Sequence, residues 1–143
     1  MYQKEGTEMK KLRIMIVDES PFFRRWFRKL ILTLPGVRII GETKDPLSAL
    51  KFIRIMKPDA ILMDAKTQWH LGIDIIKSIR KITPVPAVIL LTSEACCRYQ
   101  KKVSEKADFL VDKFTEYNKI PEILKSFASG SASEFNSADP RYV

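Results

Sequence analysis

Cysteine and histidine are scarce in this sequence, and their scarcity excludes several kinds of site. The only cysteines, Cys96 and Cys97, are adjacent, a spacing that suits neither a disulfide framework nor a set of metal ligands. The single histidine, His70, cannot build a zinc site by itself. We therefore expect two reduced thiols and a loop histidine without a metal.

Long apolar runs are also missing. No segment has enough consecutive apolar residues for a membrane span, and the opening residues MYQKEGTEMKK contain no apolar signal region. The 143 residues, 45% of them apolar and 29% charged, have the composition of one globular domain. We expect a cytoplasmic protein that does not insert into a membrane.

Acidic residues are absent between Ser20 and Gly41, a segment with five basic residues in a chain of net charge +8. A basic segment of this kind suits nucleic acid, an anionic membrane surface or an acidic protein partner. A solvated helix face explains it equally well. The positive charge of this segment therefore indicates possible binding partners and does not identify a catalytic site.

Five short apolar runs alternate with segments of helical spacing, and this alternation predicts the fold class. The runs are LRIMIVD from Leu12, VRIIGE from Val37, AILMD from Ala60, AVILLT from Ala87 and DFLVDK from Asp108. Each right-handed crossover between parallel strands needs a helix that covers the sheet. The pattern therefore predicts an α/β domain over residues 11–128, with helices on both faces of a parallel sheet.

Five helices are predicted, and caps, glycine and prolines mark the ends of the first three. The expected ranges of the five helices, in chain order, are residues 20–34, 45–57, 73–82, 94–106 and 117–128. Apolar positions three and four apart are expected to face the core, among them Ile31, Met56 and Ile73. Residues 1–10 are expected to be an N-terminal extension, and residues 129–143 a Ser-rich disordered tail.

Polar side chains stand at the carboxyl ends of four of the predicted strands. In chain order they are Asp18 and Glu19, Asp64, Thr92 and Lys113. In open parallel sheets, ligands bind outside these ends, where the strand order reverses. We therefore expect three carboxylates, a hydroxyl and an ammonium to converge at one edge of the sheet.

Three clustered carboxylates repel one another unless a cation lies among them. Magnesium suits them, because it binds a few carboxylate oxygens, keeps several waters and completes its shell with phosphate oxygens. Thr92 and Lys113 complement a phosphoryl group, and Asp64 is the expected nucleophile. Each residue alone is most often structural, as a helix cap, a turn former or a solvated lysine. Their joint occurrence at four strand ends predicts an aspartyl phosphate site.

Several motifs resemble the receiver domain of two-component response regulators, namely IMIVDES with the downstream Arg24, PDAILMD, LLTS and ADFLVDK. The resemblance covers about residues 11–128. The stretches PGVRIIGETKDPLSAL and PVPAVILLTS are most similar to receivers of the chemotaxis methylesterase and chemotaxis single-domain type. The resemblance implies a flavodoxin-like doubly wound fold, with five strands in the order 2-1-3-4-5 and five helices.

The resemblance also implies a role for each site residue. Asp64 accepts a phosphoryl group from a sensor histidine kinase or a phosphotransfer protein, and Lys113 contacts that group. Magnesium is held by four residues, Asp18, Glu19, Asp64 and the backbone carbonyl of Lys66. Thr92 and Phe109 form the switch. The fourth helix, fifth strand and fifth helix form the surface that meets a downstream protein.

Two positions depart from the family pattern. Receivers commonly have proline four residues after the phosphoacceptor, where this chain has Gln68, and a cis proline after the lysine, where it has Phe114. A cis bond before a residue other than proline costs about 2.5–4 kcal/mol. The sequence therefore leaves open a shifted loop at Lys113.

Four functions compete on the sequence alone. The first and leading one is a stand-alone phosphoacceptor switch, and its output is expected to be a protein contact because the residues after 128 leave no room for a usual DNA-binding module. The second is a non-phosphorylated pseudo-receiver that binds partners through its basic surface, which Gln68 and Phe114 mildly favour. A nucleic-acid-binding domain lacks a recognised motif, and a hydrolase lacks a base or second nucleophile. We expect a signalling domain that is not an enzyme and binds no nucleic acid.

Overall fold

The computed structural model describes residues 11–67, 69–70, 73–93 and 107–128. The strands in these ranges are β1 (Leu12–Val17), β2 (Val37–Thr43), β3 (Ala60–Asp64), β4 (Trp69–His70), β5 (Ile73–Asp74), β6 (Ala87–Thr92) and β7 (Phe109–Asp112). Five of them form one parallel sheet in the order β2-β1-β3-β6-β7, while β4 and β5 pair antiparallel with each other. The predicted flavodoxin-like α/β fold and its 2-1-3-4-5 strand order are therefore confirmed.

The helices in the described ranges are α1 (Pro21–Leu32), α2 (Pro46–Met56), α3 (Ile75–Ile79) and α4 (Lys119–Ala128). At the start of α1, the side chain of Ser20 accepts a 3.3 Å hydrogen bond from the amide of Phe23. At the start of α2, the side chain of Asp45 accepts a 3.1 Å bond from the amide of Leu47. Each cap satisfies an amide that has no partner within its helix. The predicted fourth helix, N-terminal extension and Ser-rich tail lie outside the described residues.

The third helix is shorter than predicted. It begins at Ile75 rather than just after Gly72, because the residues before it pair with β4. Asp74 caps the helix by accepting a 3.0 Å hydrogen bond from the amide of Lys77. A strand of two residues carries too little periodicity to be predicted from sequence.

The prediction that Met56 faces the core is wrong. Met56 is the last residue of α2, and 39% of its surface is exposed. The next residue, Lys57, adopts a left-handed conformation with φ of 48°, and its amide donates to the carbonyl of Ile53. This turn ends the helix before Pro58 and leaves Met56 beyond the buried stripe.

Two apolar clusters cover the two faces of the main sheet. One packs alternate residues of the central strands against α1 and α4, where Phe27, Ile31 and Leu124 are fully buried. The other packs the remaining strand residues against α2 and α3, where Ile53 and Ile76 are fully buried. Burial of each such side chain contributes about 1.5–3 kcal/mol. The carboxyl edge of the sheet is thus supported from both faces.

Within the ranges described above, none of the helices combines the length and apolar character that crossing a bilayer requires.

Candidate functional site

Asp18 is the first residue after β1, and its side chain is fully buried. Its amide donates a 3.0 Å hydrogen bond to the carbonyl of Thr43, at the end of β2. Its Oδ1 accepts a 2.8 Å bond from the amide of Ser20, and its carbonyl accepts a 2.5 Å bond from Nη1 of Arg24. Sheet pairing and the start of α1 together fix the position of this carboxylate.

Asp64 is the last residue of β3 and is also buried. Its Oδ1 accepts a 3.2 Å hydrogen bond from the amide of Lys66. Its backbone carbonyl accepts a 2.6 Å bond from the hydroxyl of Thr67, which closes a short 3-10 helix over Ala65–Thr67. The turn after β3 therefore holds both the carboxylate and the backbone of Asp64.

The ammonium of Lys113 lies between these two carboxylates. Its Nζ is 2.6 Å from Oδ2 of Asp18 and 3.3 Å from Oδ2 of Asp64. The amide of Lys113 donates a 2.8 Å hydrogen bond to the carbonyl of Thr92, the last residue of β6. The peptide bond between Lys113 and Phe114 is trans, and the lysine still reaches the site.

Burial raises the pKa of Asp18 above its ordinary value of 3.8. Hydrogen bonds from Lys113 and from the amide of Ser20 lower this pKa, but they do not outweigh the loss of water. The negative charge of Asp64 raises the pKa further. The ammonium of Lys113 therefore offsets only part of the cost of burying Asp18.

An aromatic ring forms one wall beside the ammonium. Nζ of Lys113 lies 4.1 Å from the centroid of the Phe23 ring, within the range of a cation–π contact. The ring of Phe114 packs edge-on against Phe23, with a centroid distance of 5.5 Å. Phe114, which stands where the family pattern has a proline, therefore packs on Phe23, and Phe23 in turn contacts the ammonium of Lys113.

Thr92 is buried at the end of β6, at the same edge of the sheet as Asp64 and Lys113. Phe109, the other predicted switch residue, is not brought to this site. It is buried in the cluster that faces α1 and α4, with its ring 5.6 Å from that of Phe127. Strand alternation places Leu110, not Phe109, on the same face as Thr92.

Glu19 is exposed, so the expected convergence of three carboxylates is observed for two. In the described ranges, no three side chains of histidine, cysteine, aspartate or glutamate form a group that could hold a metal ion. Magnesium nevertheless fits Asp18 and Asp64, because it is usually bound by one or two carboxylates together with water and substrate phosphate.

Two contacts of the site were not predicted from the sequence. Thr67 stands three residues after Asp64, a spacing at which a threonine hydroxyl often donates to a backbone carbonyl. This spacing could have predicted the Thr67 contact. Phe23 carried no such signal, because helical spacing assigned its ring to the core. The prediction of the strand ends was sufficient to find Asp18, Asp64 and Lys113 together.

A family model for the response regulator receiver domain matches residues 14–125, most of the described chain. The chain belongs to this family of receiver domains. The match agrees with the strand order and with the cluster of Asp18, Asp64 and Lys113 at the carboxyl edge.

Curated relatives of this receiver include protein-glutamate methylesterase/protein-glutamine glutaminases. The enzyme from Vibrio vulnificus is 31% identical over 83 residues, which cover 58% of this chain and 24% of the enzyme. That from Carboxydothermus hydrogenoformans is 29% identical over 119 residues, which cover 82% of this chain and 35% of the enzyme. The receiver thus spans only about a quarter to a third of the length of these relatives.

Solved receiver structures share the fold of this one. The signal receiver domain of the putative response regulator NarL from Mycobacterium tuberculosis is 24% identical with a TM-score of 0.67, covering 85% of this chain and 98% of that domain. The isolated REC domain of RcsB from Salmonella enterica serovar Typhimurium is 20% identical with a TM-score of 0.72, covering 89% and 99%. RcsB in a complex of two dimers with two parallel DNAs is 20% identical with a TM-score of 0.74, covering 87% and 66%.

Proposed function

We propose that this receiver is a stand-alone cytoplasmic switch that accepts a phosphoryl group on Asp64 in a magnesium-dependent reaction. The donor would be a sensor histidine kinase or a phosphotransfer protein, and the output a changed protein-binding surface. One observation carries the proposal: the buried ammonium of Lys113 lies 3.3 Å from Oδ2 of Asp64, where it can hold a phosphoryl oxygen.

In the proposed transfer, a carboxylate oxygen of Asp64 attacks the phosphorus atom of the donor. A new P–O bond to Asp64 forms while the bond from phosphorus to the donor's leaving atom breaks, and that atom keeps the electron pair. The leaving atom is a histidine nitrogen for a kinase and an acetate oxygen for acetyl phosphate. Lys113 keeps its protons throughout and stabilises the charge on the phosphoryl oxygens.

The proposed magnesium ligands are Asp18, Glu19, Asp64 and the backbone carbonyl of Lys66. Bound there, the ion would neutralise charge on the phosphoryl oxygens. The raised pKa of Asp18 supports this proposal, because burial of this carboxylate outweighs its hydrogen bonds from Lys113 and Ser20, so a further cation beside it would be favourable. The carboxylate of Glu19 is exposed, so its use as a ligand requires little loss of hydration.

The proposed switch begins at Thr92, whose hydroxyl would turn toward the phosphoryl group on Asp64. Leu110 takes the place of Phe109 in this proposal, because it lies on the Thr92 face of β7. The output surface would consist of β7, α4 and the helix predicted over residues 94–106, which lies outside the described residues.

Intact-protein mass spectrometry after incubation with acetyl phosphate tests the proposal. We expect one phosphoryl adduct in the presence of magnesium, no adduct without it, and no adduct in the Asp64→Asn variant. Asp45→Asn is a matched control, because asparagine caps α2 as well as aspartate does and Asp45 lies outside the site. A folded wild-type protein that gains no adduct would contradict the proposal.

A non-phosphorylated pseudo-receiver is the second candidate. It is favoured by the exposure of Glu19 and by the ammonium of Lys113, which already pairs with both buried carboxylates. Its partner would be acidic, because Arg25 and Lys29 are exposed on α1. Absence of an adduct together with unchanged partner binding in Asp64→Asn would favour this candidate.

DNA binding is not part of either proposal. RcsB is bound to DNA in one of the similar structures, but this chain covers 66% of that protein at 20% identity. A likeness at that identity supports the fold alone.

A further inference from the structure

We propose that Phe23 is a positioning residue for Lys113, and that the negative face of its ring holds the ammonium beside Asp64. This inference rests on the proposed phosphoacceptor function. Nζ of Lys113 is 4.1 Å from the ring centroid and sits in a site where both flanking carboxylates are buried. A cation–π contact is strongest when the cation has lost its water, as this one has.

The Phe23 ring is itself fixed by other rings. It stacks on the fully buried ring of Phe27, with centroids 5.8 Å apart and an interplanar angle of 20°. Phe114 meets it edge-on at 5.5 Å and 76°. Because Phe23 is held on two sides, it can define a position for a lysine whose four-carbon stem is otherwise flexible.

The packing of Phe114 gives a physical reason why this chain has phenylalanine, and not the family's proline, directly after Lys113. Phe114 is 57% exposed, so its ring contributes little to the core, yet it packs against Phe23 directly beside the site. Where the family pattern has a proline, this chain therefore has a ring that packs on Phe23. Packing by Phe114 stabilises the Phe23 ring, and that ring contacts the ammonium.

The ring differs from the other two partners of the ammonium in one respect. Asp18 and Asp64 change their bonding when the site is occupied, since Asp64 becomes covalently bound to phosphorus and Asp18 is a proposed metal ligand. The neutral ring takes part in neither change. Phe23 therefore supplies the contact that keeps Lys113 in place before and after transfer, while the P–O bond to Asp64 forms and the donor's bond to phosphorus breaks.

The test compares rates of phosphorylation by acetyl phosphate, with magnesium, in variants that separate ring charge from ring volume. Phe23→Leu removes the ring, and Phe23→Tyr keeps it. Replacement of Phe23 by phenylalanines with one, two or three ring fluorines keeps the shape and progressively weakens the negative face. Phe127→Leu is the matched control, because Phe127 is a half-buried ring of α4 that packs against Phe109 and has no contact with Phe23, Phe114 or the ammonium among the described interactions.

We expect a rate about 2- to 30-fold lower in Phe23→Leu, a near-wild-type rate in Phe23→Tyr, and a stepwise fall in the logarithm of the rate with each added fluorine. Phe127→Leu should keep the wild-type rate. Equal rates across the fluorinated series, with a slow Phe23→Leu variant, would overturn the inference by showing that only the volume of the ring matters.

A measurement without phosphorylation separates this inference from the proposed function. In the wild type, the shielding face of the Phe23 ring should move the NMR signals of the Lys113 ε-methylene protons upfield, and Phe23→Leu should abolish that shift. Lys113→Met identifies the signals. No upfield shift in the wild type would overturn the ring contact, whereas a shift in a protein that gains no phosphoryl adduct would contradict only the proposed function.

Discussion

Nζ of Lys113 and Oδ2 of Asp18 lie 2.6 Å apart, although the two residues are separated by 95 positions in the chain. Asp64 shares the same ammonium at 3.3 Å. In this structure the lysine therefore offsets the carboxylate repulsion that the sequence alone suggested a metal ion would relieve. Because all three groups are buried, the stability of the network depends on which of them are ionised.

Replacing Asp18 by asparagine should stabilise the protein. Asparagine removes a buried charge that the site compensates incompletely, while its side-chain oxygen can still accept the hydrogen bond from the amide of Ser20. We expect the free energy of unfolding near neutral pH to rise by about 0.5–2 kcal/mol in urea titrations. Asp45→Asn, outside the site, should change it by less than about 0.5 kcal/mol. A decrease in Asp18→Asn would refute the interpretation of the Asp18 environment.

The advantage of Asp18→Asn should depend on pH. The folded-state pKa of Asp18 is raised above 3.8, so between 3.8 and that higher value the folded protein binds more protons than the unfolded chain. Through this window the Asp18 contribution to the free energy of unfolding becomes less favourable as pH rises, and its cost is fully present above it. The difference between variant and wild type should therefore be absent at about pH 3 and grow as pH rises above 3.8. A difference independent of pH would show that burial of the charge is not its cause.

Removing the ammonium should destabilise the folded state. In Lys113→Met, both buried carboxylates lose their partner, and loss of one member of a buried ion pair typically costs about 3–5 kcal/mol. The cost should be smaller in an Asp18→Asn background, where one carboxylate is already neutral. A double-mutant cycle on the free energies of unfolding measures this coupling, and additive effects would contradict a shared network.

Magnesium should stabilise the wild type if Asp18 and Asp64 help to hold it. At a magnesium concentration about ten times the Kd, linkage predicts a gain of about 1.4 kcal/mol in the free energy of unfolding. The gain should be lost in Asp64→Asn and in Asp18→Asn and retained in Asp45→Asn. Glu19→Gln tests the exposed member of the proposed ligand set, and equal gains in wild type and Glu19→Gln would exclude it.

The hydroxyl of Thr67 should matter to both stability and phosphorylation. In Thr67→Val, the buried carbonyl of Asp64 loses its 2.6 Å hydrogen bond, a loss that typically costs about 1–3 kcal/mol. Thr67→Ser keeps the hydroxyl and should recover most of the stability and of the rate with acetyl phosphate. If valine and serine variants behaved alike, the hydroxyl would have no role in holding Asp64.

The positions of Asp18, Asp64 and Lys113 could be predicted from sequence because each follows a short apolar run, a local signal that marks a strand end. Which of them would pair could not be predicted, since the pairing depends on strand order and on side-chain reach across the sheet. Glu19 is exposed because it lies at a bend beyond the end of β1, a feature that the apolar run does not encode. Alternation of side chains along β7 places Phe109 and Leu110 on opposite faces, so Leu110 and not Phe109 shares the face of Thr92.

The backbone hydrogen bond from Lys113 to Thr92 has a consequence for how this site can vary. It joins the last residue of β6 to the first residue after β7 and requires no particular side chain at either position. The spacing between the lysine and the threonine is therefore set by the sheet and not by their own chemistry. Either side chain can therefore be replaced while the sheet keeps the two backbones at the same distance, so the residues at these two positions can vary independently of each other.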